Sequence, residues 1–510
     1  MPEQDKPTND KEKTEAPEPV DNLVETKHVI VINGEEIHYT VTTGTIVLKE
    51  EEDDREKEAE GHKPKAEIFF IAYTREGVED RTKRPLTFSF NGGPGSSSVW
   101  LHLGVLGPRR VYNLEDGSMP RPPFRLVDNE YSLLDRTDLV FIDPVNTGYS
   151  RVVKGEKSKP FHSFKKDIEA VGEFIRLYTS RYKRWLSPKF LIGESYGTTR
   201  AAGLSGYLQE RYGMYLNGIM LVSVILNFST ARFAPGHDLP YILYLPGYAA
   251  TAWYHKKLAR RLLNRPLQYT LDAVEKFVLS EYVPALFKGD KMSKRERNRI
   301  VERVAYYTGL SQAYVERTNL RIGDQRYFKE LLRDEGRTIG RLDSRLKGID
   351  LDSAGETHEY DPMLTEITGT YTATFNDYVR SELNYENDLP YEILTAKVWP
   401  WSYSEYENQH LNVAETLRKA MTINPYLKVL VANGYYDLGT PYYATEYTFN
   451  HMGLDTSLQG NLTYTYYEAG HMMYMHLPSL AQMKDDLATF MDGALPGETN
   501  GERRAEVSEG

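Results

Sequence analysis

The chain has 510 residues, of which 40% are hydrophobic and 12% aromatic, with a formal net charge of −11. That length accommodates one large domain with an insertion, or two to three ordinary domains. The negative charge argues against nucleic acid or an anionic membrane as a partner, and the absence of cysteine excludes disulfides, thiol catalysis and cysteine-ligated metals.

No apolar run reaches the roughly 18 residues of a membrane span. The first residues are rich in Pro, Glu and Lys and lack the apolar core of a signal peptide, so the chain as written is expected to be cytoplasmic. Residues 1–26 have the composition of a disordered tail. Alternation then starts at His28, and Asn33-Gly34 between two β-type runs predicts a hairpin. Lys49 to Lys65 is a charge run expected to form a solvated loop between two antiparallel strands, the second beginning at Ala66.

Leu86 to Phe90 reads as a strand that runs into Asn91-Gly92-Gly93-Pro94-Gly95-Ser96-Ser97-Ser98. The loop lacks the Lys-Ser/Thr ending of a phosphate-binding P-loop and the spacing of a dinucleotide fingerprint. A loop of bare backbone N–H groups can instead cradle an oxyanion. Asp138 to Ile142 is a further buried strand. Ser163 caps a helix whose apolar residues Phe164, Ile168, Val171, Ile175, Tyr178 and Tyr182 step by three and four.

Lys189 to Ile192 leads into Gly193-Glu194-Ser195-Tyr196-Gly197, a Gly-x-Ser-x-Gly pattern between a strand and a helix. A serine at such a turn is held above the sheet edge with the new helix's free N–H groups beside it. The helix closes at Gly213, and Ile219 to Leu226 is again a continuous apolar strand. Apolar strands alternating with helices predict an α/β fold, a mostly parallel sheet covered on both faces.

The alternation stops after Leu226. Residues 235–400 carry aromatic and charged helical stretches with a strand pair around Gly369 to Asp377, and are expected to form a largely helical cap. Asp350 to Asp361 resembles a calcium loop superficially, but Ala354 stands where a ligand is required and Asp361 replaces the usual glutamate, so no metal is assigned. Strands return at Leu427 to Ala432 and Leu462 to Tyr467, and a helix through Leu480, Met483, Leu487 and Met491 closes the pattern. The expected division is a tail over 1–26, core over 27–234, insertion over 235–400, core again over 401–495, and a flexible tail over 496–510.

A serine hydroxyl becomes a nucleophile only when a histidine accepts its proton and a carboxylate holds that histidine in the right tautomer. Asp437 follows the strand ending at Ala432 and His471 follows the strand ending at Tyr467, so Ser195, Asp437 and His471 stand in the order this fold requires. The run Met472 to His476 reads as core or pocket lining rather than a soft-metal site.

Together NGGPGSSS, GESYG, the Asn433-Gly434-x-x-Asp437 loop and Ala469-Gly470-His471-Met472 resemble the serine carboxypeptidase family, in particular its bacterial cysteine-free branch, over about residues 28 to 492. The resemblance implies an α/β-hydrolase fold with an insertion and removal of C-terminal residues from peptides through an acyl-enzyme, with no cofactor. It implies Ser195 as nucleophile, Asp437 as orienting acid and His471 as base. The oxyanion hole maps to the N–H groups of Gly93 and Tyr196, and recognition of the peptide's terminal carboxylate to Asn91, Gly92 and Glu194. Three positions depart from the family pattern: Ser89 replaces a tryptophan, Ser96 a cysteine, and Val105 a glutamate that pairs with the elbow glutamate in many members. Val105 would leave Glu194 without a carboxyl partner. The same triad would serve an esterase or an acyltransferase, and a catalytically silent scaffold is the reading from another class. An activity optimum on the acid side of neutrality is expected, because Glu194 must be protonated to accept a substrate carboxylate.

Overall fold

The computed structural model describes residues 18–51 and 62–496. Its centre is a ten-stranded sheet. Strands β1 (Asn22–Ile32), β2 (Glu35–Glu51) and β3 (His62–Arg75) form an antiparallel run. The parallel part comprises β4 (Leu86–Phe90), β5 (Asp138–Ile142), β6 (Lys189–Ser195), β7 (Gly218–Val224), β8 (Lys428–Gly434) and β9 (Leu462–Tyr467). The order across the sheet is β1-β2-β3-β5-β4-β6-β7-β8-β9, parallel from β5 onward, and a two-residue strand, Arg151–Val152, pairs with β3. This is the α/β-hydrolase architecture expected, and the elbow serine ends β6 in the middle of the sheet.

Alternate residues of the central strands serve two cores. Leu191, Ile219, Leu221, Val429 and Val431 pack into one buried cluster. Phe190, Ile192, Met220, Val222, Leu430 and Ala432 pack into the other. Both faces are therefore dry, which is why these strands read as unbroken apolar runs. Helix α1 (Phe164–Arg181) contributes Ile168, Val171 and Ile175 to the first core, with Ser163 Oγ accepting from Lys166 N at its start. Helix α2 (Tyr196–Tyr212) leaves the elbow and stops at Gly213, which takes the left-handed conformation.

Between β7 and β8 the chain builds a helical region with its own buried cluster, running from Tyr244 and Tyr248 of α3 (Leu239–Tyr254) to Phe328 and Ile339. Leu438, from the loop after β8, joins that cluster.

Three expectations need correction. Residues 22–26 are the start of β1 rather than tail, paired with Val41 to Thr45 of β2; residues 1–17 lie outside those described. Lys49 to Glu51 and His62 to Lys65 belong to strands, so the hairpin extends into the charged run, whose remainder is not described. Finally, Gly369 to Asp377 lies within helix α4 (Pro362–Ser381). Asp361 caps it by accepting from Met363 N, Pro362 fills its first turn, and Ile367, Tyr371, Phe375 and Tyr378 bury one face. The spacing of the buried aromatics is helical, which overrides the strand preference of the threonines and tyrosines in this stretch. The flexible tail expected from 496 falls almost wholly on residues outside those described.

Candidate active site

The elbow is shaped by contact distances. Ser195 has φ 61° and ψ −128°, a backbone conformation that a non-glycine residue adopts only when its surroundings hold it there. A Cβ on Gly193 would stand 2.1 Å from Gly197 O, and one on Gly197 would stand 2.7 Å from Phe90 O. Both glycines are therefore required by the close crossing of β6, α2 and the end of β4.

Asp437 lies in the loop after β8 and His471 in the loop after β9. His471 Nδ1–H donates to Asp437 Oδ2 at 2.7 Å, and the Thr440 hydroxyl donates to the same oxygen at 2.7 Å. Oδ1 accepts from the N–H groups of Gly439 at 2.7 Å and Thr440 at 3.0 Å. The carboxylate is thus held by four donors, and the backbone of His471 is pinned as well: its N–H donates to Leu342 O at 2.6 Å and its carbonyl accepts from Ser223 Oγ at 2.6 Å. Burial works to lower the pKa of the imidazole. The charge and hydrogen bond of Asp437, with the charge of Glu194, outweigh it, and the pKa stands above its ordinary value. Ser195 and His471 line one cavity of about 370 Å³. Among the described residues Ser195 Oγ forms no hydrogen bond, so the serine and the imidazole share the cavity without being joined.

Gly93 and Gly92 line the same cavity. The Tyr196 N–H lies against Gly92, where a Cβ would approach it to 2.4 Å, while the Tyr196 ring packs away from the cavity against Trp401. Asn91 Nδ2 donates to Glu194 Oε1 at 3.0 Å, and Asn91 Oδ1 accepts from Leu101 N at 3.0 Å. All eight residues singled out from the sequence are thus brought to one end of the sheet.

Two neighbours were not anticipated. The Tyr474 hydroxyl donates to Glu194 Oε2 at 2.6 Å. Val105 is buried in the core, and among the described residues no carboxyl group pairs with Glu194, yet Glu194 is not unpartnered: the Tyr474 phenol is its second hydrogen-bond partner beside Asn91. Burial pushes the Glu194 pKa up to about 7, against the charge of His471 and the hydrogen bonds from Tyr474 and Asn91, with the Asp437 charge adding to the rise. The signal for Tyr474 was a hydroxyl inside the Met-rich run after His471. The second neighbour is Arg341, from the helical region, which lines the cavity and for which no motif gave warning.

The departures at Ser89 and Ser96 also resolve. Ser89 is a buried residue within β4 whose hydroxyl has no partner. Ser96 Oγ accepts from Trp100 Nε1 at 2.8 Å, and its loop is tied to the segment 393–395 by Thr395 N to Gly95 O at 2.9 Å and Ser97 N to Ile393 O at 3.1 Å. Backbone hydrogen bonds anchor the loop in a chain without cysteine. Among the described residues no cluster of three or more His, Asp or Glu is arranged to hold a metal, and no helix is long and apolar enough to cross a membrane.

A family model described as serine carboxypeptidase matches residues 59–232. The pheromone-processing carboxypeptidase of Saccharomyces cerevisiae is 32% identical over 160 residues, 30% of this chain and 20% of that protein. The match thus spans about a fifth of that relative's length. Serine carboxypeptidase-like 34 of Arabidopsis thaliana is 23% identical over 424 residues, covering 78% of this chain and 74% of that one. Among solved structures, a prohormone-processing carboxypeptidase from Saccharomyces cerevisiae aligns over 91% of this chain and 93% of its own, with TM-score 0.55 and 18% sequence identity, which establishes a common fold.

Proposed function

We propose that this chain, whose residues 59–232 match the serine carboxypeptidase family model, hydrolyses the last peptide bond of peptides, releasing the C-terminal residue through an acyl-enzyme. The observation that carries the reading is the imidazole of His471, held by Asp437 at 2.7 Å on Nδ1, in one cavity with a serine on a strained elbow. With Nδ1–H committed to Asp437, Nε2 is the free base. It accepts the Ser195 proton as Oγ attacks the carbonyl carbon, then returns it to the leaving nitrogen. Water enters by the same route in reverse to release the acyl group. The N–H groups of Gly93 and Tyr196 stabilise the oxyanion, and closeness of the Gly92–Gly93 loop to the start of α2 supports that pairing.

Asn91, Gly92 and Glu194 receive the substrate's terminal carboxylate. Below its pKa of about 7, Glu194 is neutral and can donate to that carboxylate; above it, two negative charges would meet in a buried site. KM for free-acid peptides therefore rises as pH rises, while His471, whose pKa stands above its ordinary value, must be neutral to act as base and limits turnover at low pH; the expected optimum lies on the acid side of neutrality, where the two demands overlap. The insertion between β7 and β8 acts as a cap that supplies part of the cavity wall.

The test uses two probes on the wild type and on Ser195→Ala. A fluorophosphonate should label the wild type alone, and a blocked peptide with a free C-terminus should be cleaved while its amide is not. Ser195→Ala should lose on the order of 10⁴-fold in kcat with its melting temperature unchanged. Labelling without cleavage of any free-acid peptide would leave a serine hydrolase that is no carboxypeptidase.

A further inference from the structure

We propose that Arg341 makes this enzyme selective for an acidic side chain on the acyl side of the scissile bond. The cavity beside Ser195 has apolar walls from Leu342, Leu364, Leu394 and Trp399, and Arg341 is the one Lys or Arg side chain lining it among the described residues. The guanidinium is half-buried and lies against Gly439, where Nη1 is 3.0 Å from the position a Cβ would take. It has no carboxylate partner within 4.0 Å among the described residues, whereas buried Arg200 pairs with Asp167 at 2.8 Å and half-buried Arg345 with Asp343 at 2.6 Å. The backbone of Arg341 serves the fold, its carbonyl accepting from Leu438 N at 2.9 Å, but among the described residues its side chain forms no hydrogen bond.

A guanidinium that makes no ion pair or hydrogen bond among the described residues, although its charge acts on the buried carboxyl of Asp324, stands in a concave, largely apolar site beside the reacting serine and is placed for a carboxylate that arrives with the substrate. Two carboxylates could arrive, the peptide's C-terminus and an acidic side chain. The Asn91–Glu194 pair already stands where the first is read. Arg341 stands elsewhere on the cavity wall: its Nη1 lies against Gly439 in the Asp437 loop, whereas Glu194 is hydrogen-bonded to Asn91 and Tyr474. The carboxylate facing Arg341 is then on the residue that supplies the acylating carbonyl. The low-dielectric walls strengthen that attraction, and they would equally strengthen the repulsion of a lysine or arginine placed there.

This inference rests on the carboxypeptidase reading for its peptide substrates, but not for its test. Blocked glutamate and blocked glutamine are compared as acyl donors, both in free-acid dipeptides with leucine as the leaving residue and in activated esters with no leaving carboxylate. The ratio of kcat/KM, glutamate over glutamine, is read at about pH 6.5 in low and high salt. The wild type should favour glutamate about tenfold, the lower end for a charge-assisted hydrogen bond at a half-exposed site, and the ratio should shrink with salt. Arg341→Gln should bring the ratio near one, Arg341→Lys should keep part of it, and Arg341→Glu should turn the preference toward a lysine acyl donor. A wild-type ratio at or below one in both substrate series overturns the proposal without any variant. So does an Arg341→Gln ratio equal to that of the wild type, or an Arg341→Gln loss that is equal for all free-acid peptides and absent from the esters, which would assign Arg341 to the terminal carboxylate. If esters show the preference and no free-acid peptide is cleaved, the carboxypeptidase reading fails and the Arg341 subsite stands.

Discussion

Glu194→Gln should remove a loss of stability that the wild type suffers between mildly acidic and mildly alkaline pH. The carboxyl is fully buried, with Oε1 accepting from Asn91 and Oε2 from Tyr474, and burial raises its pKa from 4.5 to about 7. Between those two values the folded chain keeps a proton that the unfolded chain has released. Stability therefore falls as pH rises across that window and levels off above it. A span of about 2.5 units at 1.36 kcal/mol each amounts to about 3 kcal/mol. His471 works in the same direction: its raised pKa contributes stability at low pH that is lost as pH rises through its folded value, and the Glu194 charge is one cause of that rise. The amide retains a polar group against both Asn91 and Tyr474 but cannot ionise. Urea denaturation of both proteins at about pH 5 and pH 8 reads the effect. Whatever offset the substitution causes at pH 5, the variant should gain about 2 to 3 kcal/mol on the wild type by pH 8. If both proteins lose the same stability over that interval, Glu194 is already ionised at pH 5, and a neutral carboxyl cannot be the reader of the substrate's terminus.

Two further substitutions probe the same site. Asp437→Asn removes the charge that raises the His471 pKa, so the acid limb of kcat/KM should move to lower pH while kcat falls by roughly 10³- to 10⁴-fold, because the amide can hold the imidazole in the wrong tautomer; an unshifted acid limb would mean that another group sets it. Tyr474→Phe removes a hydrogen bond that lowers the Glu194 pKa, so the rise of KM with pH for free-acid peptides should begin at higher pH, with ester hydrolysis unaffected by the shift. A KM profile that does not move would separate Tyr474 from carboxylate recognition.

What the sequence revealed of this site was whatever the backbone encodes locally. The elbow is legible because its geometry depends on two residues on either side of Ser195, and the glycines are forced by approaches of 2.1 and 2.7 Å. Asp437 and His471 are legible because chain order on this fold places them after successive parallel strands. Tyr474 was hidden because its contact with Glu194 joins residues 280 apart, and nothing within the Met-rich run reveals which way a hydroxyl points. The strand expected at Gly369 to Asp377 failed for a different reason. Threonine and tyrosine favour strand as isolated residues, but the cap at Asp361 and the burial of Tyr371, Phe375 and Tyr378 on one face outweigh that preference.

Arg341 belongs to a segment whose position has a consequence for the whole site. Arg341 O accepts from Leu438 N at 2.9 Å, Leu342 O accepts from His471 N at 2.6 Å, and Ser344 N donates to Tyr436 O at 3.0 Å. Residues 341–344 therefore run between the loop that carries Asp437 and the loop that carries His471, hydrogen-bonded to both. Gly470 lies so close to Asp343 that a Cβ there would approach its side chain to 2.5 Å. Leu342 N in turn donates to Asp361 Oδ2 at 3.1 Å, the same carboxylate that caps α4. The helical region between β7 and β8 thus fixes the histidine from behind while presenting Arg341 to the cavity in front. A change in how that region packs would move the proposed base and the proposed side-chain reader together, because one short stretch of backbone is hydrogen-bonded to the loops carrying Asp437 and His471.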